Sequence, residues 1–363
     1  MTELKMLGAI DLFCGAGGLT CGLRRSGVDV LAGVDVDEKC RHAFEVNNGA
    51  EFLLEDVSQL SAAKLHELFD GTSIRILAGC APCQPFSTYS HRYETVGTPR
   101  WGLLYHFARL VRAVRPEIVT MENVPSVSKH QVYHDFVATL EDLGYQVWNA
   151  VVDCRDHDLP QMRKRTVLMA SLLGPIQISD QSALAHKTVR DAIYDLPPLE
   201  NGQSDDKDRL HVAAKLSPLN LERMRVSKPG GTWRDWPEEL VAACHRKSSG
   251  KTYPGVYARM EWDKPSPTLT TQFFGFGNGR FGHPEQDRAI SLREGAILQG
   301  FPPSYSFLPG DEHVQFKTLG RLIGNAVPVA LGETIGRSIL QSLQLEGEDN
   351  HDQAKEPGRT LVA

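Results

Sequence analysis

Apolar residues fall into two alternating rhythms over the first 170 positions. Short apolar runs at 7–13, 28–34, 51–54, 74–78, 117–121, 146–152 and 166–170 have the length of buried strands. Between most of them, at 19–25, 38–47, 60–69, 103–114 and 134–143, apolar residues recur three and four apart, as on one face of a helix. Strand and helix in turn predict an α/β fold with a doubly wound, mainly parallel sheet. Ligands of such sheets sit beyond the carboxyl ends of the strands.

The rhythm breaks near residue 174. Residues 175–265 are rich in Pro, Asp, Ser, Gly and Trp and follow no clean period, which predicts a second, smaller, irregular lobe at about 180–265. Helical patterns return at 291–299 and 327–343, so a segment over 270–343 is expected to return to the first domain, 1–175. Residues 345–363 are polar and acidic and predict a frayed tail.

Composition adds bounds. The chain has 363 residues, 41% hydrophobic and 23% charged, enough for one large domain and a second lobe. No apolar run reaches the ~18 residues of a membrane helix. The start lacks the pattern of a secretory leader. Seven cysteines spread along the chain do not suggest a disulfide scaffold, so a reducing cytoplasm is expected. The net charge is −6, yet residues 209–260 hold ten Lys/Arg against four acids. That local excess points towards a polyanionic partner.

Three motifs sit at strand ends. Ile10-Asp11-Leu12-Phe13-Cys14-Gly15-Ala16-Gly17-Gly18-Leu19 runs from a strand through a glycine turn into a helix. Its G-x-G-G spacing departs from the dinucleotide pattern, which makes a pyrophosphate cradle doubtful. Asp35 ends the second run, where a carboxylate can accept from ribose hydroxyls. Asp56 follows the third and can accept from an adenine amino group. A pocket for ribose and adenine without pyrophosphate suggests S-adenosylmethionine. The plain alternative is a glycine turn that only packs helix on strand.

The second motif, Gly79-Cys80-Ala81-Pro82-Cys83-Gln84-Pro85-Phe86-Ser87, contains C-x-x-C. A redox pair and half a zinc site are both open readings, but no second ligand pair accompanies it. One working thiolate at Cys83 suits a strand end better, with Cys80 as packing. The third, Glu122-Asn123-Val124, puts a carboxyl at the end of a buried strand, which is either a structural hydrogen-bonder or functional. Further on, Gln161-Met162-Arg163-Lys164-Arg165 leads into another strand, and alternation places Arg163 and Arg165 on one face.

Taken with Arg293–Pro302 and Gly324–Pro328, these motifs resemble the DNA cytosine-5 methyltransferases of bacterial restriction-modification systems, in the family's order over about residues 7 to 335. The resemblance implies the S-adenosylmethionine-dependent methyltransferase fold, a target-recognition lobe at about 180–265 and no metal. It assigns Phe13, Gly15, Gly17, Gly18, Leu19, Asp35, Val36, Asp56, Val57, Asn325 and Val327 to cofactor binding. Cys83 is then the nucleophile, Glu122 and Arg165 hold the target cytosine, and Arg163 supports them. Contacts to DNA are expected from Gln84, Ser87, Arg100, Arg223, Arg225, Lys228, Arg234 and Thr268. Ala81 departs from the family, where Pro is frequent, and the loop after Ser87 matches only loosely.

The implied substrate is a cytosine flipped out of double-stranded DNA. The implied setting is a monomer whose cognate endonuclease acts separately, with no membrane partner. A tRNA cytosine methyltransferase and a silent DNA-binding subunit are the competing readings. The bulky, locally basic lobe weighs against the first, and the intact Cys83, Glu122, Arg163 and Arg165 against the second. At least two of Trp233, Trp236 and Trp262 are expected in the lobe's core, with Lys228–Thr232 as a flexible loop.

Overall fold

The computed structural model describes residues 6–82, 102–179, 185–310 and 312–353. Seven strands are seen among them: β1 (Leu7–Leu12), β2 (Asp29–Asp35), β3 (Glu51–Leu54), β4 (Ile74–Gly79), β5 (Ile118–Asn123), β6 (Gln146–Asp153) and β7 (Lys164–Ser171). They form one sheet in the order β3-β2-β1-β4-β5-β7-β6. β1 to β5 pair in parallel, whereas β7 is antiparallel to both its neighbours. The strand runs therefore become the mainly parallel sheet that was expected, with one reversed strand that their pattern did not reveal.

Helices cover both faces of the sheet. Alternate residues of β1 and β4 divide between two cores: Ala9, Ile76 and Ala78 face one, and Ile10, Leu12 and Leu77 the other. Burial on both sides explains why these strands read as largely apolar runs, broken only by Asp11 in β1 and Arg75 in β4. Helices α1 (Gly18–Ser26) and α2 (Arg41–Asn48) pack on the first face. Helices α3 (Ala62–Leu68), α4 (Leu103–Val114) and α5 (Gln131–Asp142) pack on the second.

Short helices α6 (Val189–Ile193), α7 (Pro218–Val226) and α8 (Ala243–Arg246) follow. Then come α9 (Leu292–Leu298), α10 (Phe316–Asn325) and α11 (Val329–Gln353). Residues of α9, α10 and α11 join the first core. Helix α10 was not foreseen. Helix α11 continues to Gln353 where a frayed tail was expected from residue 345. The run Gln341-Ser342-Leu343-Gln344-Leu345-Glu346 consists mainly of good helix formers, which carry the helix past its apolar stretch.

Helices α1 and α11 cross at close range because both carry glycines. A Cβ on Gly22 would stand 2.3 Å from the Val329 carbonyl oxygen, and one on Gly332 2.8 Å from that of Leu19. The second lobe has its own small core of Leu216, Met224, Trp233, Trp236, Phe276 and Ala289. That core reaches past residue 265, whereas Val189 and Leu210 belong to the large core. Trp262 is only partly buried, against the large core.

Candidate active site

The sheet's order reverses between β1 and β4, and a cavity of about 720 Å³ opens at that crevice. Leaving β1, the backbone takes left-handed conformations at Phe13 (φ 60°), Gly15 (φ 52°) and Gly17 (φ 84°). Gly17 caps α1. Gly15 lines the cavity, and a Cβ there would meet nothing within 4 Å. Its N–H donates to Asp35 Oδ2 (2.9 Å), and Asp37 N–H donates to Oδ1 (2.9 Å), so two backbone donors fix the carboxylate at the end of β2. Burial raises the pKa of Asp35 despite those bonds.

Of the residues assigned to the cofactor, Phe13, Gly15, Asp35 and Val36 line the cavity. So do Asp56, Val57, Asn325 and Val327. Val36 is an apolar side chain left 64% exposed, an uncovered surface for a planar group to stack on. Gly17, Gly18 and Leu19 do not line it. Leu19 sits in the first core, and Gly18 is where α1 meets the cavity's far wall. A Cβ on Gly18 would lie 2.2 Å from the Val327 carbonyl oxygen. Gly18→Ala is therefore expected to cost about 1–3 kcal/mol by overpacking, read as a lower urea midpoint.

The motifs missed Cys40, His106 and Arg321, which also line the cavity. Arg321 on α10 forms an ion pair with Asp37. The run of the chain carries no signal for that contact, because it depends on α10 docking 284 positions later. Asp11, read as part of the glycine motif, instead ties β1 to α1. It is buried, accepts from Thr20 Oγ1 (2.7 Å), and burial lifts its pKa to about 7.

Behind the cavity wall, in contact with the lining residue Cys80, stands Glu122, the penultimate residue of β5 and 3% exposed. The reversal of β7 has its effect here. Antiparallel pairing sets Asn123 against Thr166 and so brings the start of β7, with Arg165, to the carboxyl end of β5. A parallel β7 would have put Arg165 at the opposite edge. Arg165 Nε lies 2.7 Å from Glu122 Oε1. Cys80, just past β4, packs against the first core, as expected, and also donates its S–H to Glu122 Oε2 (2.8 Å) and lines the cavity. Cys83, Gln84, Ser87 and Arg100 lie outside the described residues.

Arg163 is turned inward towards backbone carbonyls. It precedes β7, is 2% exposed, and donates to the carbonyls of Leu269, Gly324 and Ala326 and to Gln161 Oε1. Gln161 and Gln299 extend this hub, with Gln299 Nε2 also donating to the Ala326 carbonyl (2.6 Å). Arg163 thus ties the segment at Leu269 to the cavity wall at Asn325–Val327.

In the second lobe, Arg223 is buried rather than presented to a groove. It donates to the Leu240 carbonyl and Asn220 Oδ1, and its guanidinium lies over the rings of Trp236 and Tyr257. Arg259 is likewise buried among backbone carbonyls and paired with Asp287. The excess of cations therefore overstates the charge at the surface. Arg225 and Lys228 are exposed, and Arg225 lies 3.6 Å from Asp287. Arg234 is exposed with its guanidinium over Trp233. Thr268 is exposed, and its hydroxyl donates to the Met162 carbonyl. The Lys228–Thr232 loop is held, not free: Gly230 N–H donates to the Arg259 carbonyl, and Thr232 forms a capping box with Asp235.

The Glu122–Arg165 pair thus stands one side chain away from a cavity at the point where the sheet order reverses. A family model of C-5 cytosine-specific DNA methylase matches residues 7–341. The chain is 50% identical over 345 residues to the type II methylase M.HgiDII of Herpetosiphon aurantiacus, covering 93% of this chain and 97% of that one. It is 32% identical to the type II methyltransferase M1.HphI of Haemophilus parahaemolyticus, over 92% of this chain and 86% of that one. A solved E. coli prophage-encoded protein, described as a DNA modification methyltransferase, superposes with a TM-score of 0.70 at 25% identity, covering 93% and 99% of the two chains. The chain belongs to the C-5 cytosine-specific DNA methylase family.

Proposed function

We propose that this protein methylates carbon 5 of cytosine within a specific double-stranded DNA sequence. It would do so as the modification enzyme of a type II restriction-modification system, acting as a monomer apart from its endonuclease. The observation that carries the reading is the Glu122–Arg165 pair, one side chain away from the cavity wall.

The cavity fits S-adenosylmethionine. Its volume lies in the range of small-molecule sites. Asp35 offers a fixed carboxylate for ribose hydroxyls, Val36 an uncovered face for adenine, and Gly15 a backbone free of side-chain bulk. S-adenosylmethionine, when bound, supplies an electrophilic sulfonium methyl group.

The chain's own residues make cytosine able to accept that methyl. Carbon 5 is a poor nucleophile until a thiolate adds to carbon 6. Cys83 is proposed to supply that thiolate. As its sulfur bonds to carbon 6, electron density moves onto the ring. Glu122 delivers a proton to ring nitrogen 3, and Arg165 donates to carbonyl 2, which neutralises the developing charge. After transfer, the carbon 5 proton passes to solvent water, the Cys83–carbon bond breaks, nitrogen 3 returns its proton to Glu122 and the aromatic ring is restored. A base stacked in a duplex cannot reach these groups, so it must be flipped out.

A covalent trap tests this. With 5-fluorocytosine in mixed-sequence duplexes, the fluorine cannot leave as a proton does. A denaturation-resistant adduct at Cys83 is expected, and its base maps the recognised sequence. Cys83→Ser is expected to form none. An adduct only on structured RNA, or none on either nucleic acid, would overturn the assignment.

A further inference from the structure

The two oxygens of Glu122 are held differently. Arg165 Nε is close to Oε1, yet that oxygen has no aligned hydrogen bond among the described residues. Oε2 accepts the Cys80 thiol proton. The sheet sets this contact. Gly79 pairs with Met121 across β4 and β5, and Cys80 N–H donates to the Leu12 carbonyl (3.3 Å). The residue after Gly79 is thus kept level with the residue after Met121.

A carboxyl group that gives a proton to a base must carry it on a defined oxygen. The last torsion of a glutamate side chain is broad and nearly two-fold, so an unrestrained carboxyl presents either oxygen. We propose that Cys80 is a positioning residue for methyl transfer: its thiol fixes Oε2 as the accepting oxygen, so that the proton of Glu122 stands on Oε1 beside Arg165. This rests on reading Glu122 and Arg165 as the pair that holds cytosine. Ring nitrogen 3 and carbonyl 2 are neighbours on the base, and Oε1–H and the Arg165 guanidinium form a matching pair of neighbouring donors. The proton moves from Oε1 to nitrogen 3 as sulfur bonds to carbon 6, and returns when that bond breaks. The Cys80 S–H stays bonded to Oε2 throughout, and its sulfur is not oxidised.

Ser and Ala are close in size, but only Ser keeps a donor. Cys80→Ala is expected to lower kcat about 3–10-fold, the effect of one hydrogen bond. KM for S-adenosylmethionine and for DNA should stay within about two-fold, and Cys80→Ser should restore most of kcat. Equal losses in the Ala and Ser variants would show that only volume matters and overturn the proposal. So would a raised KM for S-adenosylmethionine at unchanged kcat, which marks a mere cavity-wall residue. An active wild type with an unaffected Cys80→Ala variant overturns this proposal alone. A wild type that methylates no DNA overturns the underlying reading with it.

Discussion

Glu122→Gln is expected to slow methyl transfer about 100- to 10,000-fold, the usual range for removing a placed general acid. Gln has the same shape and can still donate to ring nitrogen 3, but it has no proton to give up. It also replaces the carboxyl partner of Arg165, 2.7 Å away on a side chain that is itself 11% exposed. Single-turnover transfer of labelled methyl from S-adenosylmethionine to DNA reads the loss directly. Cofactor binding should hold, because Glu122 does not line the cavity. A variant within three-fold of wild type would show that Glu122 is a structural hydrogen-bonder, the plainer reading of a carboxyl at a strand end.

The largest stability effect is expected far from that pair. Arg288 is fully buried and makes two 2.7 Å bonds to both oxygens of Glu294, itself 1% exposed. Glu294 also accepts from Ser291 N–H to cap α9, and His283 Nε2 lies 3.7 Å away. Burial pushes the Glu294 carboxyl up, but Arg288 holds it below the ordinary carboxylate range. Arg288→Met keeps most of the volume and strands the carboxylate, so a loss of about 3–5 kcal/mol is expected.

The loss should depend on pH with a defined sign. Burial pulls His283 down to about 4, with Arg288 and Arg259 adding to the effect against the pull of Glu294. In the wild type the folded state binds fewer protons at His283 than the unfolded state does. That contribution is complete above the ordinary histidine range and fades as pH falls towards 4. Without the Arg288 charge, His283 takes a proton more readily and can pair with Glu294. Urea midpoints at pH 8 and pH 5.5 should therefore show a smaller deficit at the lower pH. A deficit under about 1 kcal/mol, or the same deficit at both values, would contradict this account.

Much of the fold was legible because its strands are buried on both faces. Ile10 and Leu12 face one core and Ala9 the other, so apolar residues fall on both sides of the strand and the run stands out although Asp11 interrupts it. The direction of β7 was not legible, since an apolar run reads the same in either sense. That direction decides the site, because it carries Arg165 to Glu122. The cavity residues at strand ends, such as Asp35 and Asp56, follow from position along the chain alone. Arg321 and Cys80 do not: each acts through a partner on another element, Asp37 in one case and Glu122 in the other. Charge was read least well. Arg163, Arg223 and Arg259 look like surface cations in a list of residues, yet each is folded inward over carbonyl oxygens.

The meeting of α1 with α11, and of Gly18 with Val327, has a consequence for how the enzyme comes into being. The cavity takes one wall from the first sixty residues and another from Arg321–Val327. During synthesis the catalytic strands leave the ribosome long before that second wall exists. A nascent chain thus holds Glu122 and Arg165 but only half a cofactor site. A chain cut short before residue 321 is therefore expected to be inert, and methylation to begin only with finished molecules.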